Sequence, residues 1–412
     1  MSSIMTRLKS MAVLVIATLA LVGAAEVALR LISPETRPEI ILAPTHVAYR
    51  FNPDFVIDLE PGVTKTFVRL PGNGGQTIEW RTNAQSFPGA PLQRDPELRV
   101  MVYGDSNILG RFSRLENTFP YRLERNLENI TGRKIETINA GVLGFGPDQS
   151  YIKMMKEFDE FRPDIVVFHI FADNDFGDIV RDRIFELDGD GNLSRNPAPL
   201  ELTYLEQKQL GKLFWQKYIS SFHLTLAAHH LGLWLRPPVS VQTDLIGVLG
   251  TTTEMEFEVY RNRGPRTYGN FSDHYDLDVA TRPESESARE KKKLMGAVLK
   301  SVQTFLKTKN VELVILIQPS TRDLTENLTI NHTHLSEFPS YSRKNLSSAV
   351  EDICVRLGLR YINFYDVFFD NRPETLYFRQ EDWHWNDAGQ ALAARVTADY
   401  IHRELVDRPV LK

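Results

Sequence analysis

A single cysteine, Cys354, stands among the 412 residues. No intrachain disulfide is therefore possible, and zinc sites built from several thiolates are excluded. Its neighbours Ile353 and Val355 mark it as a buried structural thiol on a helix. A basic footprint is missing too: 48 Lys and Arg against 53 Asp and Glu leave a net charge of −5, which gives nucleic acid nothing to bind. The one basic run, Lys291-Lys292-Lys293, reads as a solvated helix face. No Gly-x-x-x-x-Gly-Lys-Ser/Thr phosphate loop occurs, so a P-loop nucleotide site is out. The turn Asp188-Gly189-Asp190-Gly191-Asn192 fails as a calcium loop, with Leu193 where Gly is required and Pro199 where Glu is required, and reads as a hairpin turn instead. Adjacent His229 and His230 point to different helix faces, and His332 and His334 flank a threonine in a polar loop; neither pair makes a metal site. No cofactor and no metal are expected.

What is present is a globular chain. An apolar content of 42% is ample for a packed core. From Leu98 onward strands and helices alternate: a strand over Leu98 to Tyr103, a helix over Thr118 to Ile130, a strand over Lys134 to Ile138, a helix over Asp148 to Phe161 and a strand over Asp164 to Ile170. The pattern resumes with a helix from about Glu286 to Thr308, strands over Val311 to Ile317 and Arg360 to Asn363, and a helix from about Ser342 to Leu357 between them. A last helix runs from Asp387 to about Glu404. Alternation of this kind predicts a flavodoxin-like three-layer α/β/α domain around a parallel five-stranded sheet.

At the N-terminus, Arg7 and Lys9 precede an uncharged apolar stretch, Met11 to Ala25. Such charge placement sends the following chain across a membrane. Fifteen helical residues rise about 22 Å, short of a hydrocarbon core about 30 Å thick, so the span must extend toward Ile32. That extension carries Glu26 and Arg30, four apart and able to pair near the outer interface. We read residues 1–32 as an uncleaved anchor, the rival being a cleaved signal peptide with Val22 and Ala24 before the cut. Residues 33–96 are proline-rich and read as an extended spacer ending in one or two strands, with Thr77 to Asn83 alternating.

The chemistry concentrates at strand ends. Ser106, in Tyr103-Gly104-Asp105-Ser106, follows the apolar run Val100 to Tyr103 and falls at the carboxyl edge of the sheet, where ligands bind. A serine hydroxyl needs a base, and an imidazole serves best when a carboxylate orients it. Asp382 and His384, in Asp382-Trp383-His384-Trp385-Asn386, supply that pair on a loop, with Asn386 capping the last helix. A glycine turn, Asn139 to Gly146, follows the second strand, and Asn174 follows the third. A backbone N–H from that turn and the Asn174 amide are placed to meet an oxyanion. Gly141, Gly144 and Gly146 compete for the backbone role. The α/β-hydrolase elbow Gly-x-Ser-x-Gly is excluded, because Ile108 stands two residues beyond Ser106.

These blocks resemble the SGNH (GDSL-type) hydrolase superfamily. Gly104-Asp105-Ser106 matches its first block, Asn139 to Gly144 the second, Asn174-Asp175 the third, and Asp382 with His384 the last. Leu109-Gly110, Glu116 to Pro120 and Gly389 are similar to the membrane-anchored bacterial branch. The resemblance implies Ser106 as nucleophile, His384 as base and Asp382 as its orienting acid. It implies an oxyanion hole of the Ser106 N–H, the Gly144 N–H and the Asn174 side chain. Two positions depart from the pattern: Ala172 replaces a glycine, and Asn107 stands where an apolar residue is usual, which predicts a more polar pocket floor.

On this reading residues 97–178 and 284–408 are two parts of one catalytic domain, and 179–283 is an insertion rich in Trp, Phe and Leu that acts as a lid or acceptor-binding region. The resemblance implies a serine esterase acting on an O-acyl, foremost O-acetyl, ester of a carbohydrate or cell-envelope molecule. An O-acyltransferase would use the same residues. The branch implies a single-pass protein of the bacterial inner membrane with the catalytic domain outside the cytoplasm, or a secreted one if the signal is cleaved. A silent binding module on the same fold is the reading from another class. It is told apart by whether Ser106 reacts.

Overall fold

Apolar runs ended by turn formers build the central sheet. Strands β1 (Leu98–Tyr103), β2 (Ile135–Asn139), β3 (Ile165–Phe171), β4 (Glu312–Gln318) and β5 (Arg360–Asn363) lie in the order β5-β4-β3-β1-β2. All neighbouring pairs are parallel. The order reverses between β1 and β3, the switch point at which flavodoxin-like sheets open a crevice. This computed structural model describes residues 2–32, 49–69, 74–93, 95–110, 112–197, 219, 222–235, 253, 255–262, 274–327, 335–378 and 384–406. Its contacts divide the chain into two units, one comprising Met1–His46, Thr66–Val68 and Thr203–Val241, the other the remainder.

Strand alternation gives the sheet two apolar faces. Met101, Tyr103, Val166 and Phe168 face Met154 and Phe158 of α3 (Pro147–Phe161), Leu294 and Val298 of α6 (Glu286–Thr308), and Val350 and Ile353 of α7 (Asn345–Leu357). Val100, Val102, Ile165 and Val167 face Leu123 and Leu127 of α2 (Phe119–Thr131) and Ala393, Ala394 and Ala398 of α8 (Asp387–Ile401). Shorter helices include α1 (Ser106–Leu109), α4 (Asp175–Asp182) and α5 (Leu277–Thr281). The three-layer α/β/α architecture is thus present as the sequence predicts, and Cys354 is buried on α7.

Three expectations need correction. Lys291 is not on a solvated face: its side chain is fully buried, with Nζ 2.8 Å from Asp276 Oδ1 and 2.9 Å from Asp278 Oδ1. Only Lys293, 67% exposed, is strongly solvated. The stretch expected to end in one or two strands packed on the main domain holds more of them. Four strands are described there, Tyr49–Asn52, Val56–Leu59, Thr64–Val68 and Thr77–Arg81, the first two paired antiparallel. That hairpin is tied to α3, since Gln149 Nε2 donates to Phe55 O at 2.9 Å and Lys153 Nζ lies 3.1 Å from Asp58 Oδ1. The third concerns where the insertion ends. Tyr275 is fully buried and the Asp276 N–H donates to Asp173 O at 2.7 Å, so residues 274–283 pack with the α/β core.

The insertion begins as expected with a hairpin, Phe185–Leu187 against Leu193–Arg195. Asp188 Oδ1 accepts the Asp190 and Asn192 N–H groups at 2.9 and 2.8 Å, closing its turn. Further along the insertion a helix is described over His223–Leu235. His332 and His334 lie outside the described residues.

In the other unit, one helix covers Ser2–Ile32. Within it Lys9–Ile32, 24 residues of mean hydropathy 2.4, is long and apolar enough to cross a membrane. The extension to Ile32 gives a rise of about 36 Å, against the about 30 Å required. Arg30 Nε lies 2.7 Å from Glu26 Oε1, the pairing that the spacing predicts.

Candidate active site

β1 ends at Tyr103 and the chain turns through Gly104 and Asp105 into α1. The turn is forced tight: a Cβ on Gly104 would stand 2.7 Å from Ile108 Cγ1 and 2.8 Å from His169 Cβ. Asp105 caps the short helix, its side chain accepting the Asn107 N–H at 2.9 Å. Ser106 is therefore the first helical residue at the carboxyl edge of the second strand from the sheet's end, at the switch point.

The other half of the site arrives 278 positions later. His384 Nε2 lies 2.6 Å from Ser106 Oγ, a hydrogen bond between imidazole and hydroxyl. His384 is held through both its main chain and its ring. Phe378 N–H donates to His384 O at 3.0 Å, and the Phe112 ring meets the imidazole edge-on at 5.2 Å. The next residue, Trp385, is fully buried against Phe119, Phe364 and Phe368. Asn386 caps α8 as expected, accepting the Ala388 and Gly389 N–H groups at 2.9 and 3.1 Å, and its amide donates to Thr375 O and Tyr377 O. Asp382, the expected orienting acid, lies outside the described residues.

Asn107 does not give the pocket a polar floor. It is buried, with Oδ1 accepting the Trp385 N–H at 3.3 Å and its carbonyl accepting Gln390 Nε2 at 3.2 Å. Gln390 Oε1 in turn accepts the Phe119 N–H at 2.7 Å. Nearby, Asp387 accepts from Ser113 Oγ at 2.7 Å and Asn117 Nδ2 at 3.1 Å and pairs with Arg69 at 2.7 Å. Ser113, Asn117 and Phe119 thus tie the stretch after the serine turn to the start of α8.

Two neighbouring strand ends flank Ser106. After β2, the Gly141 N–H is taken by Asn139 Oδ1 at 3.0 Å, and a Cβ there would stand 2.5 Å from the Leu109 N; the Gly146 N–H is taken by Gln149 Oε1 at 3.0 Å. Gly144, at φ +66°, has no partner for its N–H among the described residues. After β3, the Asn174 amide donates to Asp178 Oδ2 at 3.1 Å, one helical turn on, while its Oδ1 is buried and unpartnered among the described residues. Arg181 binds both, donating to Asn174 O at 3.1 Å and to Asp178.

This edge is rich in buried charge that sequence reading missed. Burial pushes Asp178 up to about 6 against the pull of Arg181, and burial with the charges of Asp105 and Asp178 raises Asp175 well above the carboxylate range. For Arg181 burial acts downward, yet Asp178, Glu256 and Asp276 outweigh it and raise its pKa. His169, also missed, lies beneath the serine turn with Nε2 2.9 Å from Gln318 Oε1, and burial lowers its pKa. The i, i+4 spacing of Asn174 and Asp178 and the i, i+3 spacing of Asp178 and Arg181 were the readable signals.

A serine and an imidazole in hydrogen-bond contact thus stand at the switch point of a 2-1-3-4-5 parallel sheet in an α/β/α domain. Residues 274–409 match the family described as SGNH hydrolase-like domain, acetyltransferase AlgX. That match spans 136 of the 412 residues and includes His384 but not Ser106. No curated protein matches it in sequence. Among solved structures similar to it, a lipase/acylhydrolase from Enterococcus faecalis is 11% identical over 76% of this chain and 100% of its own, with a TM-score of 0.38. The acetylxylan esterase Axe2 from Geobacillus stearothermophilus is 12% identical over 74% and 95%, with a TM-score of 0.35. The psychrotrophic esterase EstA from Pseudoalteromonas sp. is 11% identical over 76% and 100%, with a TM-score of 0.35.

Proposed function

We propose that the chain is a membrane-anchored serine acyl-transfer enzyme acting on an O-acyl, foremost O-acetyl, ester of a cell-envelope carbohydrate, with its catalytic domain outside the cytoplasm. The observation that carries the reading is the 2.6 Å contact between Ser106 Oγ and His384 Nε2. His384 takes the Ser106 proton as the hydroxyl oxygen attacks the ester carbonyl, and Asp382 orients the imidazole. The tetrahedral oxyanion is met by the Ser106 N–H, the Gly144 N–H and the Asn174 amide, donors on three adjacent strand ends. Protonated His384 then hands its proton to the leaving alkoxide, giving an acyl-Ser106 and a free alcohol.

Water completing the second half makes the protein an esterase; a sugar hydroxyl makes it a transferase. The match of residues 274–409 to a family described as an acetyltransferase favours keeping transfer as the second reading. Intact-mass analysis after exposure to a serine-directed sulfonyl or phosphonate reagent tests the chemistry. One equivalent should add to the peptide containing Ser106, and none in His384→Ala; no adduct at pH 8 would point to a silent binding module. Acetylated sugar offered with and without an acceptor glycan then separates the two enzymes by whether acyl transfer exceeds acid release.

A further inference from the structure

The apolar segment inside the insertion has an unusual flank. From Tyr218 to Leu235 no Asp, Glu, Lys or Arg occurs, while Lys217 and Arg236 close the stretch on both sides. Its described part is the helix His223–Leu235, which carries five leucines and no Asp, Glu, Lys or Arg. Apolar side chains on a helix need protein or lipid against them. Leu226 is buried whereas Leu231 is 54% exposed, so protein covers only part of the helix.

A second crossing of the membrane is excluded by topology. β1 to β3 precede the segment and β4 and β5 follow it, yet all five strands share one sheet. The chain must leave the bilayer by the face through which it entered.

The N-terminal helix fixes the level. Glu26, the first charge after the apolar stretch, is buried, and its carboxylate accepts the His223 N–H at 3.1 Å and the Leu224 N–H at 2.9 Å, with Arg30 Nε donating at 2.7 Å. A carboxylate at the edge of a membrane span demands such partners. The first N–H groups of a helix are unsatisfied within it and carry partial positive charge, so the match is reciprocal.

We propose that helix His223–Leu235 is a lipid-seated interfacial helix, held at the outer boundary of the bilayer by Glu26 of the anchor. The partner is the acyl and headgroup boundary of a phospholipid leaflet. The proposal rests on Lys9–Ile32 being a membrane span. It gives the insertion a membrane-binding role that the acyl chemistry does not require.

The test uses the full chain, Cys354→Ala, in phosphatidylethanolamine and phosphatidylglycerol liposomes. Single cysteines replace Leu231 or Leu19 and carry an environment-sensitive fluorophore. Both labels should lose quenching by aqueous iodide and gain quenching by lipids brominated on the acyl chain. In Glu26→Ala the label at 231 should regain iodide quenching while that at 19 does not. Iodide quenching at 231 with 19 shielded overturns the inference and leaves the anchor standing. Shielding of 231 from both quenchers also overturns it, placing the helix against protein. A label at 231 still lipid-quenched in Glu26→Ala removes Glu26 as the tether, and iodide access at both positions removes the anchor and the inference together.

Discussion

Asn107 and Trp385 are joined across 278 positions, the Asn107 side-chain oxygen accepting the Trp385 N–H at 3.3 Å. Each residue is the immediate chain neighbour of one member of the serine–imidazole pair. The hydrogen bond, from the Trp385 main chain to the Asn107 side chain, therefore ties the chain neighbours of Ser106 and His384 together from behind. Asn107→Leu should lower turnover of a small activated ester by roughly tenfold to a hundredfold with a smaller change in KM, because a displaced base loses near-attack geometry more than binding. Steady-state kinetics decide it. A loss expressed wholly in KM would mean that Asn107 serves the pocket instead.

Ser106→Ala and His384→Ala should each reduce turnover by roughly 10⁴-fold or more while melting as cooperatively as the parent, since members of such a unit act together. The double variant should be scarcely worse than either single one. Near-full activity in either would remove the assignment.

Asn174→Ala should cost roughly 10²- to 10³-fold in kcat with KM little changed, the signature of a donor that works mainly in the transition state. Asp178→Asn, which turns the acceptor of the Asn174 amide into a mixed group, should reproduce a fraction of that loss. An unaltered kcat in both variants would take Asn174 out of the oxyanion hole.

Asp323 gives a pH prediction. Burial lifts it from the ordinary 3.8 to about 7, although Tyr275 and Tyr341 donate to it at 2.8 and 3.0 Å. Since the folded-state pKa is raised, the folded protein holds a proton that the unfolded chain has lost over this window. The associated stability is full below about 4 and is lost as pH rises through about 7. Asp323→Asn cannot ionise. Its stability relative to the parent should therefore climb by roughly 2 kcal/mol or more between pH 4.5 and 8. Urea denaturation at the two pH values gives the difference, and a pH-independent gap would show that Asp323 ionises normally.

Much of this architecture could be read before any coordinates. β1 and β5 fall where the apolar runs put them, and β2, β3 and β4 are displaced by one residue. The short Asp-x-His spacing forced a loop, and His384 lies on one beside Ser106. Lys291 was misjudged because three consecutive lysines suggested a charged patch, whereas a helix turns 100° per residue. Lys291 shares its phase with Ala288, Leu294 and Met295, all buried, and that phase was the better guide. The hairpin near Phe55 escaped because two four-residue strands leave almost no periodic signal. Asp178, Arg181 and Asp276 escaped for another reason: burying charge is tolerated only when partners converge in space, and their convergence joins α4 to the segment after the insertion.

The chain order of the pair has a consequence for biogenesis. Ser106 precedes the insertion, His384 follows it, and β4 pairs with β3 only after the intervening chain has emerged. Contacts so distant in sequence form slowly, since loop closure must come first. On the proposed function, in which the chain is exported, Ser106 emerges long before His384, and the pair that carries the acyl chemistry is assembled only when the last helix docks behind Asn107.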